Sequence, residues 1–343
     1  MALAPRMGTL TRLGDGRARR LDSHGEHAHG MVRQDIKRNR AEVQMRLGVA
    51  LPIVDIGGEP AALREFAQAA EEIGYHGIAA PDQVLGANVA SRPGWTQPRA
   101  RSTDLYHDPF MLFGFLAGCT TIGDFSTQVL ILAQRQTVLV AKQAACLDVL
   151  SGGRFRLGIG VGWNEIEFTG LNENFRNRGR RSEEQVEVMR ALWAEPHVTF
   201  KGRWHTIEDA GINPLPTARK IPLWYGGHAD VTLRRCAKWG DGWMPLAYPP
   251  GEEARAAFAT LHRYTEEAGR DPATIGIDTR VSAGAGTEAE WREEVRQWKS
   301  LGVTHLTLAN YYESGHLHRI AGRSLGDHIA AMRRYWNAVA DLL

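Results

Sequence analysis

The chain has 343 residues, 43% of them hydrophobic and 23% charged, with 37 glycines and a formal net charge of +2. That composition excludes collagen-like, disulfide-scaffold and wholly disordered chains, and the near-neutral charge argues against a nucleic-acid binder. No run of about 18 apolar residues occurs, so no membrane partner or spanning helix is expected. The three cysteines, Cys119, Cys146 and Cys236, stand far apart. They form neither a CxxC metal pair nor a disulfide framework, which points to a reducing, cytoplasmic location.

The charge is unevenly spread. Residues 1–44 carry nine Lys/Arg against five Asp/Glu, whereas residues 45–343 carry 32 against 34. The first segment is rich in Arg, Gly and His, has no apolar periodicity and lacks the apolar stretch of a secretory signal. It is expected to be a disordered or loosely docked N-terminal extension. Residues 45–343 are expected to form one domain.

From Met45 onward, short apolar runs alternate with segments of helical period. The spacing predicts a strand at 46–51, stopped by Pro52, and a helix opened by Glu59-Pro60 and closed by Gly74. A strand at 76–80, a polar loop from Asp82 to Asp108 and a helix at 109–119 follow. The third unit is a strand at 126–132 with a helix at 137–150. The fourth is a strand at 154–160, a polar loop and a helix at 182–193. Residues 197–207 read as a β-hairpin turning at Gly202-Arg203. The remaining strands are expected at 222–225, 242–246, 275–281 and 305–309, with helices at 229–239, 252–268, 288–301 and 325–342. Eight strands each followed by a helix predict an α/β fold, a (β/α)8 TIM barrel, in preference to an open doubly wound sheet.

In such a barrel the chemistry lies on the loops that follow the strands. Asp82 and Gln83 follow the second strand, and Gln134 the third. Gly160, Gly162, Trp163 and Asn164 follow the fourth, Gly226, Gly227 and His228 the fifth, Tyr248 the sixth, and Tyr311 and Tyr312 the eighth. Two glycines before a helix start suit a phosphate cradle, and equally a tight turn. Asp82 suits orienting a cofactor or accepting a proton, and equally capping a loop turn. His228 suits giving a proton or bonding a phosphate, and equally a solvated helix start. The tyrosines suit lining a substrate pocket or packing across the mouth. No HExxH, GxSxG, P-loop or paired metal ligands occur, so no metal is expected.

Several segments carry a resemblance. Leu132-Ala-Gln-Arg-Gln136, residues 141–154, Leu157-Gly-Ile-Gly-Val-Gly-Trp-Asn-Glu165, Pro222-Leu-Trp-Tyr-Gly-Gly227 and residues 233–243 resemble the bacterial-luciferase-like monooxygenase superfamily. This is the LLM class of flavin- or coenzyme F420-dependent oxidoreductases. The Gly-Val-Gly-Trp-Asn-Glu and Gly-Gly-His segments are most similar to its deazaflavin-dependent branch. The resemblance implies a TIM barrel with luciferase-like insertions, here the segment after strand 4 and the hairpin.

It also implies an oxidoreductase moving hydride between coenzyme F420 and a small, hydrophobic unsaturated or carbonyl substrate. The first alternative is an FMNH2-dependent monooxygenase using O2 through a C4a-peroxyflavin, served by a separate reductase. The second is a non-catalytic flavin- or deazaflavin-binding barrel. Asp82, Gln83 and His228 are the candidate catalytic residues. Asp82, Gln134, Gly160, Gly162, Trp163, Asn164, Gly226, Gly227 and His228 are the candidate cofactor residues, and Tyr248, Tyr311 and Tyr312 the candidate substrate pocket. A homodimer or higher homo-oligomer is implied as well. The sequence departs from relatives that carry Asp-His after strand 2, where Asp82-Gln83 stands here. An amide cannot accept a proton as imidazole does.

Overall fold

The computed structural model describes residues 44–343 except 98, 122, 246 and 247, so the extension expected at 1–44 falls outside the described residues but for Gln44. Leu47 and Val49 of the first strand, β1 (Arg46–Ala50), are buried with Leu63, Phe66, Ala67 and Ala70 of α2 (Pro60–Ile73). That strand-on-helix burial repeats around the molecule. It involves β2 (Gly77–Ala80), β3 (Asp124–Thr127), β5 (Phe155–Gly160), β8 (Leu223–Gly226), β9 (Gly242–Met244), β10 (Gly276–Val281) and β11 (His305–Leu308). Each fully buried Leu or Phe in this shell contributes about 1.5–3 kcal/mol.

The strands pair in parallel in the order β3-β2-β1-β11-β10-β9-β8-β5, and β3 also pairs with β5. The sheet is therefore closed, and the fold is a (β/α)8 TIM barrel. The covering helices are α3 (Pro109–Ala117), α4 (Thr137–Leu150), α6 (Arg178–Ala194), α7 (Asp230–Trp239), α8 (Glu252–Glu267), α9 (Glu288–Ser300) and α10 (Leu325–Val339). A two-stranded antiparallel insertion, β6 (Val198–Lys201) with β7 (Thr206–Ala210), occupies the place of the expected hairpin, with its second strand ending three residues later.

Four elements differ from expectation, the first two for a tertiary reason. The third strand is broken: β3 stops at Thr127 and a two-residue β4 (Leu130–Ile131) continues along β5. Between them Gln128 turns into the barrel, where Nε2 donates to Asp278 at 3.1 Å and Thr307 at 2.9 Å. Helix α6 starts four residues before the predicted Ser182. Its first-turn arginines are tied to strand-end carbonyls, Arg178 to Gly162 at 3.1 Å and Arg181 to Ala133 and Arg135. A short helix, α5 (Glu165–Gly170), forms inside the predicted polar loop, with Asn164 as its side-chain cap. Ahead of α2, α1 (Ile53–Ile56) adds a single unpredicted turn.

The barrel interior is unusually polar. Trp224 lies inside it, with the Arg156 guanidinium 4.3 Å from its ring centroid and His305 edge-on at 4.9 Å. A side chain at Gly242 would overlap the Trp224 ring, so glycine there makes room for it. Arg156 pairs with Asp278 at 2.8 Å, and Thr307 donates to the same carboxylate at 2.8 Å. This layer forms the floor on which the mouth rests.

Candidate active site

Consecutive strand ends build one side of the mouth. Gly160 closes β5, Gly226 closes β8, and Val129 of the broken third strand leans against both. A Cβ on Gly160 would meet a Val129 methyl at 2.6 Å, and one on Gly226 at 2.8 Å, so only glycine allows this approach. Trp243 Nε1 donates to the Gly227 carbonyl at 2.8 Å, and α7 begins three residues later. His228 stands between them, exposed, edge-on to Tyr248 at 5.5 Å. Partial desolvation of the ring lowers its pKa from the usual imidazole value, which favours the neutral form. Behind the glycines, Gly160, Gly226, Ser182, Thr232 and Arg235 line a small recess.

Gln134 stands in the turn that follows β4 and is 2% exposed. Neither its Nε2 nor its Oε1 finds a hydrogen-bond partner among the described residues. A buried amide left this way costs about 1–3 kcal/mol per unsatisfied group, so it is either strained or reserved for a ligand.

The other candidates of this side are held by the protein itself. Asp82 has a fully buried side chain, and its oxygens accept from the Ile131 N–H at 3.0 Å and from Arg135 at 2.6 and 3.3 Å. Arg135 reaches on to Asp108 at 2.9 Å. Gln83 donates to the Arg101 carbonyl at 3.3 Å. Asn164 caps α5 through Oδ1 and reaches the Leu85 carbonyl through Nδ2 at 3.5 Å. Glu167, whose carboxyl burial raises in pKa, accepts the N–H groups of Val84 and Leu85 at 2.9 and 3.2 Å. Gly162 gives its carbonyl to Arg178, and Trp163 is 47% exposed with its ring 5.9 Å from Trp95.

Across the barrel, Tyr311 and Tyr312 follow β11. The long loop from Asp82 to Asp108, described except at residue 98, is pinned at three points. His107 meets the Gly58 carbonyl at 3.1 Å, Trp95 meets Trp163, and Arg99 donates to the Tyr312 hydroxyl at 2.8 Å. Tyr106 sits against Tyr311 and Tyr312, and burial pushes its phenol up to about 12. The three tyrosines expected to share one pocket are thus divided. Tyr248 goes with His228 on the glycine side, and Tyr311 and Tyr312 with the loop.

Arg280, Asp278 and Gln128 were absent from the sequence-derived candidates. The segment Gly276-Ile-Asp-Thr-Arg-Val281 reads as a buried strand, but Asp278 and Arg280 stand two apart in it and face the same way. That period-two placement of charge in an apolar strand is the signal that would have found them. Among the described residues no three His, Cys, Asp or Glu side chains cluster to hold a metal, and no helix is long and apolar enough to cross a membrane.

Comparison with known proteins follows the same outline. The sequence profile of the family described as luciferase-like monooxygenase matches residues 45–343. An uncharacterized protein of Mycobacterium tuberculosis, Rv0940c, is 35% identical over 210 residues, 60% of this chain and 72% of that one. An F420-dependent secondary alcohol dehydrogenase, solved with an F420–acetone adduct, superposes with a TM-score of 0.69 at 20% identity, covering 86% of this chain and 99% of the other. The monooxygenase RslO1 of Streptomyces bottropensis superposes with a TM-score of 0.67 at 17% identity, covering 87% and 99%.

Proposed function

The chain belongs to the luciferase-like monooxygenase family, a class of flavin- or deazaflavin-binding oxidoreductases acting on small molecules, and from that premise we propose that it transfers hydride between coenzyme F420 and a small unsaturated or carbonyl compound. The observation that carries the reading is the Gln134 amide, buried and unpartnered beside the Gly160–Val129–Gly226 contact. An amide offers one donor edge and one acceptor edge, which complements the alternating N–H and C=O edge of a flavin or deazaflavin ring. The glycines let Val129 pack against both strand ends, an apolar surface on which a flat ring would rest. Gly227, the start of α7, and Ser182, Thr232 and Arg235 behind it suit the phosphate of such a cofactor. The choice of the deazaflavin rests on the likeness of the Gly160–Glu165 and Gly226–His228 segments to that branch.

When bound, the reduced deazaflavin supplies a hydride; the protein's residues do the rest. The Asp82–Arg135–Asp108 group fixes the ends of β2, β3 and α3 around the ring site. The loop from 82 to 108 excludes water. His228, its ring favoured in the neutral form, donates an N–H hydrogen bond to the reacting oxygen. Gln83, engaged with Arg101, serves the loop's position.

The family's description as monooxygenases favours a second reading, oxygenation with reduced FMN delivered by a separate reductase. Titrating the purified protein with oxidised FMN and with coenzyme F420, followed by fluorescence, separates the two. Tight deazaflavin binding with weak FMN binding is expected. Tight FMN binding with no measurable deazaflavin binding overturns the first reading.

A further inference from the structure

Arg280 is a buried cation of the mouth that pairs with no carboxylate among the described residues. It is 6% exposed, on β10, in the interior layer directly above Asp278. Its Nε has no partner, and its guanidinium bonds only the Gln128 carbonyl, at a long 3.5 Å. The buried carboxylates around it are already taken. Asp278 binds Arg156, Gln128 and Thr307. Asp82 binds Arg135, and Asp55 binds Arg319 and His328. A buried, uncompensated charge is costly, and a guanidinium is the group best shaped to grip a planar oxyanion through two parallel N–H bonds.

A second cation shares the place. Arg99, from the loop between Asp82 and Asp108, lies 5.2 Å from the Tyr312 ring centroid, and Arg280 lies 5.0 Å from the same ring. Arg99 also binds the Tyr312 hydroxyl and pairs with no carboxylate. Beside them Asn310, 3% exposed, has an unpartnered Nδ2. Two guanidiniums on one aromatic ring, one from the barrel wall and one from the loop, repel each other unless an anion lies between or beside them. The recess suited to the cofactor's phosphate is on β5 and β8, three and two strands along the ring from β10.

We infer that Arg280, with Arg99, Tyr312 and Asn310, binds the carboxylate head of the substrate. The substrate class is then an organic acid whose apolar body points toward the glycine side. Arg99 makes that loop part of the same recognition, since the loop carries it to the anion. This rests on the oxidoreductase reading for the word substrate, but the anion site can be measured without it.

The test is calorimetric titration of the whole protein with octanoate and with octanamide, which share an apolar body and differ in charge. Wild type is expected to prefer octanoate at least tenfold. Arg280→Met is expected to abolish the preference, Arg280→Lys to keep part of it, and Arg99→Met to reduce it severalfold. Equal binding of the two ligands by wild type, or an undiminished preference in Arg280→Met, overturns the inference. If Arg280→Met does not fold, Arg99→Met decides: an unchanged preference there overturns it. Coenzyme F420 titrated into the same variants locates the anion. A loss of cofactor affinity in Arg280→Met as large as the loss for octanoate would give the anion to the cofactor and overturn the assignment to substrate. Failure of wild type to bind any cofactor overturns the function proposed above, while the octanoate preference stands or falls by itself.

Discussion

The two sides of the barrel mouth solve opposite problems. On the β3–β5–β8 side, glycines admit Val129 against the backbone, the acid Asp82 is closed off by Arg135, and a neutral amide, Gln134, is left unsatisfied among the described residues. On the β10–β11 side, bulky aromatic and cationic side chains crowd together, and a charge, Arg280, is among the groups left unsatisfied in the described residues. A flat, weakly polar ring suits the first side and an anionic head the second. The contrast teaches that spare hydrogen-bonding capacity, rather than residue type, separates binding groups from groups that hold the frame.

The sharpest way to break this contrast is Asp82→Asn. If Asp82 holds the frame, the change leaves Arg135 with Asp108 as its one carboxylate and costs about 1.5–3 kcal/mol in urea unfolding. A loss below about 1 kcal/mol would return Asp82 to the chemically active set. Gln134→Leu is expected to do the reverse. Removing an unpaired buried amide leaves stability within about 1 kcal/mol of wild type, while the affinity for the ring cofactor falls about tenfold, a cost of about 1.4 kcal/mol in binding. Equal losses in both would make Gln134 structural.

The smallest effect tests the outer wall of the arginine side. Burial pushes Glu294, on α9 behind β10, from its ordinary 4.5 up to about 7, with the Trp298 indole at 3.4 Å. The folded state therefore holds this proton more tightly than the unfolded state. The stabilisation is complete below about pH 4.5 and is lost as pH rises through 7. Glu294→Gln removes that dependence, so its Tm should exceed that of wild type by about 3 °C at pH 8 and match it near pH 4.5. A Tm difference that does not change with pH would show that this side tolerates buried charge more easily than its geometry indicates.

Much of the frame was legible because it is written locally. Helix α4 begins and ends where its period predicts, at Thr137 and Leu150, and the barrel strands fall within two or three residues of the apolar runs. The start of α6 was not legible, because Arg178-Gly-Arg-Arg181 has loop composition and becomes helical through bonds to carbonyls elsewhere. The break in the third strand was hidden in the same way. Nothing in Ser-Thr-Gln-Val-Leu shows that Gln128 will find Asp278, 150 residues on.

The division between sequence and tertiary structure follows from range. Period, caps and glycine placement act over a few residues, so the chain itself determined a strand-helix alternation and a closed parallel barrel, and pointed to the strand ends as the candidate site. Which polar groups remain free there depends on partners far along the chain. Asp82 is consumed by a cation 53 residues away, and Tyr312 is engaged by Arg99 from 213 residues away. Only the folded barrel brings those partners within bonding distance, and so only it decided that Gln134 and Arg280 are left over.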